Sequence, residues 1–155
     1  MPLAYRICSQ RYPILDGTGA AMAGARWNSP GRPVIYTSEH YATTILEQLV
    51  HAGRLRVPPG HHGAVIEIPD DLRIATFHAD EHRGWDAPDS SVSVAFGDAW
   101  LRDGAAPVLR VPSLPGQPVE WNLLINPLHA GFGRIRTRAP FAVRWDGRLF
   151  GVATR

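Results

Sequence analysis

The sequence predicts an α+β domain in which helices flank a mixed or antiparallel β-sheet. With 155 residues, the chain has the length of one domain, residues 1–155, and is long enough to bury a hydrophobic core. Its residues are 45% hydrophobic and 19% charged, as in folded globular proteins. The 15 Gly and 14 Pro residues favour a loop-rich domain containing a sheet over a helix bundle.

Charge and composition exclude several classes of protein. The formal net charge of +2 is too small to predict a nucleic-acid binder. All 16 basic residues are Arg. Compositional bias explains this, and arginine also suits bidentate recognition of phosphate. Cys8 is the only cysteine, which excludes an internal disulfide and a zinc–thiolate site. No run is apolar for long enough to span a bilayer, and the N-terminus lacks a signal-peptide core, so we expect a cytoplasmic protein without membrane contact.

The first third of the chain predicts short strands and a tight reversal. Residues 3–7 are typical of a strand. The small-residue run 17–24 predicts a loop that either lies close to a ligand or strand or is simply mobile. Residues 25–28 and 34–37 predict two strands around a turn at Pro30 and Gly31.

The length of that turn decides whether Arg26 and Tyr36 share a face. A three-residue loop sets Arg26 opposite Tyr36, with both side chains on one face. A two-residue loop sets Arg26 opposite Ile35 and separates the two side chains. The two side chains can also meet without a simple hairpin.

A helix is predicted after this segment, capped by Ser38 and ending at Gly53. Its apolar residues recur at helical spacing and predict a buried stripe. The stripe comprises Ala42, Ile45, Leu46, Leu49 and Val50. Glu47 falls on the flank of that stripe, where a carboxylate is ordinarily solvated.

The remainder predicts more strands, a second helix and one polar connection. Strands are predicted at residues 54–57, 64–68, 108–113 and 120–127, a polar loop at 69–88 and a helix at 90–102. Residues 132–150 alternate loosely and are expected to close the sheet. The strand at 108–113 delivers Ser113 into a loop.

We expect neither a metal site nor serine-nucleophile catalysis. His61 and His62 are adjacent and point apart on any regular element, and the acids of residues 69–88 lack the calcium-loop spacing. Ser113 is an alternative hydrolase nucleophile, but it lacks the Gly-x-Ser-x-Gly elbow and no histidine is marked as its base.

The residues at 26, 36 and 47 support chemistry on an anionic dinucleotide such as NAD. Arg26 suits a pyrophosphate or ribose oxygen, and Tyr36 offers a ring face to the nicotinamide. Glu47 suits a ribose hydroxyl and the oxocarbenium-like centre that grows as the C–N bond breaks. Ser113 and Asn122 can orient ribose or phosphate. No dinucleotide or P-loop glycine motif is present, so hydride transfer or a P-loop use of nucleotide is not supported. We expect no bound cofactor, and any NAD to act as substrate.

The sequence resembles the RES domain family, the toxins of bacterial RES–Xre toxin–antitoxin pairs. The resemblance rests on ordered motifs spread over nearly the full length. They are GARWNSPG at 24–31, VIY at 34–36, ILEQLVH at 45–51, VPS at 111–113, NLLINPLH at 122–129, and residues 141–149. The family's usual His-Pro is His129-Ala130 here, which weakens any role for His129.

The resemblance implies an ADP-ribosyltransferase-like fold and consumption of NAD. It implies catalytic roles for Arg26, Tyr36 and Glu47 and carries the family's later serine onto Ser113. We predict substrate contacts for Arg26 and Tyr36 and for four further residues, Trp27, Asn28, Ser113 and Asn122.

Three functions follow as hypotheses. The first is a toxin that destroys NAD by hydrolysis or phosphorolysis, the second a protein ADP-ribosyltransferase using the same cleft, and the third a module that binds nucleotide or antitoxin without turnover. The resemblance also implies an Xre-type antitoxin covering the cleft near Arg26, a possible homo-oligomer in the complex, and DNA contact only through that partner.

Overall fold

One mixed sheet organises the fold in the computed structural model, which describes residues 1–52 and 59–151. Its strands are β1 (Leu3–Ser9), β2 (Ile35–Ser38), β3 (His61–Glu67), β4 (Ile74–Thr76), β5 (Val108–Pro112), β6 (Trp121–Ile125), β7 (Arg136–Thr137) and β8 (Phe141–Ala142). Their order is β4-β5-β6-β2-β1-β3-β7, and β8 also pairs with β3. The β4–β5 pair is parallel and the other pairs are antiparallel. The α+β prediction with a mixed sheet is therefore confirmed.

Three α-helices accompany the sheet in the described residues: α1 (Thr18–Ala23), α2 (Tyr41–Ala52) and α3 (Ser91–Asp103). Short 3-10 turns lie at Ala79–Glu81, Phe132–Arg134 and Gly147–Phe150. The helix predicted at residues 90–102 is confirmed as α3, which ends at Gly104 in the left-handed conformation (φ 60°). Helix α1 replaces the loop predicted at 17–24, because its alanines at 20, 21 and 23 favour a helical turn.

The sheet separates two hydrophobic cores because neighbouring residues of each strand face opposite sides. Ile35 packs in the core that contains Ile66 and Ile125, whereas Tyr36 packs beside the core that contains Leu124 and Trp27. Helix α3 covers this second core. At Gly97 an added Cβ would lie 1.7 Å from the carbonyl oxygen of Trp27, so the absence of a side chain there lets α3 hold the segment that carries Arg26.

The predicted hairpin of residues 25–28 and 34–37 is wrong. Ala25 and Asn28 instead form an isolated bridge with each other, through backbone hydrogen bonds of 3.0 and 3.3 Å. Strand β2 lies between β1 and β6, with Ile35 opposite Ile125 and Ser38 opposite Asn122. Full burial of Ile35 at the centre of the sheet stabilises this long-range pairing over a local reversal.

Helix α2 buries the face opposite to the predicted one. Thr43 and Thr44 are buried, while Leu46 and Val50 are 37% and 60% exposed. Strands β1 and β2 pair at Tyr5 and Ser38, and beyond that point α2 supplies hydrogen-bond donors to β1. Thr44 donates to the carbonyl of Tyr5 (3.1 Å) and Gln48 to that of Ile7 (3.0 Å).

The other elements follow the prediction in part. The strand predicted at 3–7 is β1, that at 64–68 overlaps β3, and those at 108–113 and 120–127 contain β5 and β6. Ser38 ends β2 and does not cap the helix, which begins at Tyr41. The polar connection 69–88 contains β4, which was not predicted. The strand predicted at 54–57 and the helix end at Gly53 lie outside the described residues. Within the described chain, none of the helices has the length and apolarity needed to cross a bilayer.

Candidate active site

The carboxylate of Glu47 lies where α2 meets the ends of β5 and β6. Its Oε1 accepts a hydrogen bond from Ser113 Oγ (2.7 Å) and another from Asn122 Nδ2 (2.6 Å). Within residues 1–52 and 59–151, no protein hydrogen bond engages Oε2. Both donors therefore fix one oxygen and leave the other available to a ligand.

The amide of Asn122 is itself oriented by Ser38. Ser38 Oγ donates to Asn122 Oδ1 (2.7 Å), so the amide nitrogen is directed at Glu47. Ser38 is 3% exposed and Ser113 is fully buried, which protects this relay from water. Sequence reasoning missed the part played by Ser38, because Ser38 was interpreted as a helix cap. The β2–β6 register, which places Ser38 opposite Asn122, is the signal that identifies it.

The phenol of Tyr36 joins the sheet to the Arg26 segment. Its hydroxyl accepts from the backbone N–H of Trp27 (3.1 Å) and donates to Asn28 Oδ1 (2.7 Å). Burial raises the pKa of Tyr36 above its usual value, and the hydrogen bond from Trp27 N–H and the nearby Arg26 charge oppose that shift only in part. The phenol is neutral at physiological pH, and its hydroxyl is committed to the protein.

Trp27 and Asn28 lie beneath the surface of this segment. Asn28 is 1% exposed and donates from Nδ2 to the carbonyls of Ala20 (2.9 Å) and Arg32 (3.0 Å). Trp27 is 3% exposed and packs edge-on against Phe77, with ring centroids 4.7 Å apart. Both side chains support the segment from within, and their predicted contact with substrate stays a prediction.

Arg26 is tied to the loop that precedes α3. Its Nη1 donates to the carbonyls of Trp85 (3.3 Å) and Ala87 (3.1 Å). Its side chain thus lies on the α3 side of Tyr36, whereas Glu47 approaches from α2. A guanidinium has five N–H donors, so two bonds from Nη1 leave donors for a bound anion.

Tyr36 and Glu47 line one half-open space of about 80 Å³, here called the Glu47 crevice. Its lining residues are Ile7, Tyr36, Thr37, Ser38, Thr44, Glu47, Gln48 and Asn122. The crevice exists because β2 ends at Ser38, and beyond that residue α2 lies beside β1 in its place. Pockets for whole drug-sized ligands usually measure about 300–1,000 Å³, so the crevice has room for one fragment of a dinucleotide.

The chemistry available here is electrostatic. A carboxylate with one oxygen held and one free stabilises developing positive charge next to it without reorganising. Ser113 donates to Glu47 and forms no hydrogen bond with a histidine within the described chain, so the arrangement lacks the base of a serine hydrolase. Among residues 1–52 and 59–151, no three His, Cys, Asp or Glu side chains are grouped to hold a metal ion.

Comparison with known proteins covers almost the whole chain. The family model described as the RES domain matches residues 3–146. A relative named "Prs ADP-ribosylating toxin" from Sphingobium sp. (strain YBL2) is 34% identical over 143 residues, covering 90% of this chain and 88% of the relative. "Toxin Res" of Yersinia enterocolitica serotype O:8 / biotype 1B is 31% identical over 151 residues, covering 95% and 99%.

A solved structure shares the fold. It is the crystal structure of the M. tuberculosis MbcT–MbcA toxin–antitoxin complex, with a TM-score of 0.74 and 20% sequence identity, covering 96% of this chain and 86% of the matched chain. The likeness confirms the predicted ADP-ribosyltransferase-like fold.

Proposed function

Because this chain belongs to the RES domain family, we propose that it is the toxin of a toxin–antitoxin pair and that it degrades NAD at the Glu47 crevice. The observation that carries the proposal is the state of the Glu47 carboxylate. Oε1 is held by Ser113 and Asn122, and Oε2 is left for the ribose of a substrate. Relatives named as toxins support the cellular role.

The proposed reaction breaks the bond between nicotinamide and ribose. Glu47 stabilises the positive charge that develops at the ribose C1 carbon, while the bonding electron pair leaves with the nicotinamide nitrogen. The hydroxyl of Tyr36 is already bound to the protein. The part of Tyr36 that meets the nicotinamide is therefore its ring. Arg26 pairs with the pyrophosphate through donors other than those on the Trp85 and Ala87 carbonyls.

Transfer of ADP-ribose to a protein is the second candidate. The observation that favours it is the Sphingobium relative, whose name describes an ADP-ribosylating toxin and which covers 90% of this chain. The two candidates share every step up to cleavage of nicotinamide and differ in the group that attacks C1.

Product analysis separates these candidates. The purified chain is incubated with NAD labelled in its adenosine half, with and without phosphate, and nicotinamide, free ADP-ribose and its phosphate are measured. Free products support NAD degradation, and label on protein after addition of a cell lysate supports transfer. Saturable NAD binding without any product would leave only a binding module and contradict both enzymatic proposals.

An antitoxin partner is proposed by analogy with the solved complex, in which the matched chain is a toxin bound to its antitoxin. We propose an Xre-type partner that covers the site near Arg26 and supplies any DNA contact, with homo-oligomerisation in the complex as a further possibility. Co-expression with an Xre-type protein from the same genome that binds this chain should suppress NAD loss in cells. Persistent NAD loss despite a stable complex would contradict the proposal that the partner covers the site.

A further inference from the structure

A histidine–carboxylate pair is tied to α2 at Thr43, one helical turn before Glu47. His40 Nδ1 lies 2.9 Å from Glu120 Oε2, and the hydroxyl of Thr43 donates to the same oxygen. Thr43 is 4% exposed, whereas the His40 side chain is 65% exposed. The carboxylate is therefore anchored from inside the protein and presents the imidazole at the surface.

The position of this pair follows from the elements that carry Glu47. Thr43 precedes Glu47 by one turn of α2, so the two side chains lie on one face of the helix. Glu120 lies just before β6, two residues before Asn122, and its carbonyl continues the pairing with the β5 end by accepting from Ser113 N. The side chains of Glu120 and Asn122 therefore also share a face. The contacts Thr43–Glu120 and Glu47–Asn122 are thus successive links between the same helix and the same strand.

The loop between β5 and β6 couples the two links. Glu120 N donates to the carbonyl of Gly116 (3.0 Å), and Ser113 N donates to the carbonyl of Glu120 (2.9 Å). A Cβ at Gly116 would lie 2.4 Å from Glu120 Cβ and 3.1 Å from Ser113 Oγ. The loop therefore packs closely against Glu120, which binds His40, and against Ser113, which binds Glu47.

The carboxylate determines which nitrogen of His40 carries the proton. Hydrogen bonds from Thr43 and His40 lower the pKa of Glu120, so the carboxylate is ionised at neutral pH. An ionised carboxylate only accepts hydrogen bonds. The neutral imidazole consequently has its proton on Nδ1 and its lone pair on Nε2, in the manner of a histidine base oriented by an acid.

We propose that His40, oriented by Glu120, accepts the proton of the group that attacks the ribose. In that step the C1–N bond breaks with its electrons going to nicotinamide, and an oxygen of water forms the new bond to C1. The proton of that water passes to His40 Nε2 and then to solvent. The inference rests on the proposed function and extends it to the acceptor, because a water molecule or a hydroxyl group has a proton to lose, whereas a phosphate dianion attacks through an oxygen that is already anionic.

In the part of the chain that the structure describes, few charged groups lie around the His40–Glu120 pair. Besides Glu120, they are Glu39, which is the preceding residue and pairs with Arg110 (3.2 Å), Glu47 on α2, and Arg144, which shares a hollow with Tyr41. Glu39 is thus neutralised by Arg110, and Glu120 is the carboxylate in contact with the imidazole. If the rate of nicotinamide release falls at acidic pH, we therefore attribute the fall to loss of His40 as proton acceptor.

The test measures nicotinamide release from NAD in phosphate-free buffer between pH 5 and 9, a range that includes the titration of an ordinary histidine. We expect His40→Ala to lower the rate at pH 8 by about 100-fold, the lower end of the usual contribution of a general base, and to abolish the fall in rate at acidic pH. Glu120→Gln, which keeps the shape but not the charge, should give a smaller loss. KM for NAD should stay unchanged in both variants.

The matched control is His51→Ala, an exposed histidine at the other end of α2, which should keep the wild-type rate and profile. Thermal unfolding confirms that each variant folds. A His40→Ala variant with the wild-type rate and pH profile overturns the inference and leaves the proposed function intact. Release of nicotinamide by the wild type only when phosphate is added would likewise overturn the His40 inference and leave the proposed function intact. A folded wild type that releases none in either buffer contradicts the proposed function, and the His40 inference with it.

Discussion

At the scale of single residues, Glu47 is defined by two donors that share one of its oxygens. Ser113 and Asn122 both bind Oε1, at 2.7 and 2.6 Å, and Ser38 fixes the amide of Asn122. One hydrogen bond alone lets the carboxylate turn about it, so both donors are needed to fix its orientation. These residues are therefore expected to act by positioning Glu47.

We predict that Ser113→Ala and Asn122→Ala each reduce nicotinamide release by roughly 10-fold, equivalent to about 1.4 kcal/mol of transition-state stabilisation. The double variant should lose less than the product of the two single effects, because both donors act on the same oxygen. Initial rates of the two single variants and the double variant measure this. Losses that multiply fully would show that the two residues act independently, for instance through separate contacts with substrate.

The hydroxyl of Tyr36 gives a prediction about stability. Tyr36→Phe removes the acceptor of Trp27 N–H and the donor to Asn28, which leaves buried polar groups without partners. We expect the free energy of unfolding to fall by about 1–3 kcal/mol, as measured in a denaturant titration. Tyr12→Phe, at a side chain that is 46% exposed, is the control and should be neutral. An unchanged stability of Tyr36→Phe would contradict the bridging role of the hydroxyl.

The same tyrosine predicts how stability depends on pH. Burial raises the pKa of Tyr36, so the folded state holds the phenol proton to higher pH than the unfolded state does. The resulting stabilisation is complete below the unfolded pKa of about 10 and is lost as pH rises above it. Wild-type stability should therefore decline more steeply between pH 10 and 11.5 than that of Tyr36→Phe, and parallel curves would contradict this assignment.

At the scale of elements, α2 explains both the crevice and the failure of the pattern that predicted its buried face. A helix usually buries its apolar side, but here Thr44 and Gln48 face β1 because the carbonyls of Tyr5 and Ile7 accept hydrogen bonds from them. Hydrophobic periodicity alone did not reveal the buried face of α2, because that face depends on where the pairing of β1 and β2 ends.

The reversed face predicts that apolar residues on the outer side of α2 contribute little to folding. Leu46→Gln and Val50→Gln should change the free energy of unfolding by less than about 0.5 kcal/mol, as at ordinary surface positions. Ile66→Ala, at a fully buried core residue, should cost about 2–5 kcal/mol. Equilibrium unfolding of the three variants checks the difference. A loss of several kcal/mol at Leu46 or Val50 would support the orientation expected from the sequence.

Local patterns predicted the longer elements of the fold better than the short ones. Helix α3 and the strands β5 and β6 lie close to their predicted places because their periodicity is continuous and Gly104 marks a helix end. The hairpin at 25–28 and 34–37 failed because the central position of β2 is decided by partners far away in the chain. Strand β4 was hidden in an acid-rich segment, since three residues are too few to show alternation.

At the scale of the whole molecule, the site gathers residues that lie far apart in the sequence. Ser38, Glu47, Ser113 and Asn122 come from four segments and meet because β2 lies beside β6 and α2 packs against β1 and β2. Residue chemistry and family resemblance singled out Glu47 and both of its donors. Neither could predict the hydrogen-bond directions or the part of Ser38, because these follow from strand register. The pair of His40 and Glu120 was invisible for the same reason.

The most direct test of the central claim compares nicotinamide release by the wild type and by Glu47→Gln. The amide keeps the shape of the side chain and removes the charge that faces the ribose. We predict a loss of at least about 100-fold with unchanged thermal unfolding, while Glu81→Gln, at an exposed carboxylate elsewhere, keeps the wild-type rate. Equal release by the wild type and Glu47→Gln would contradict the account.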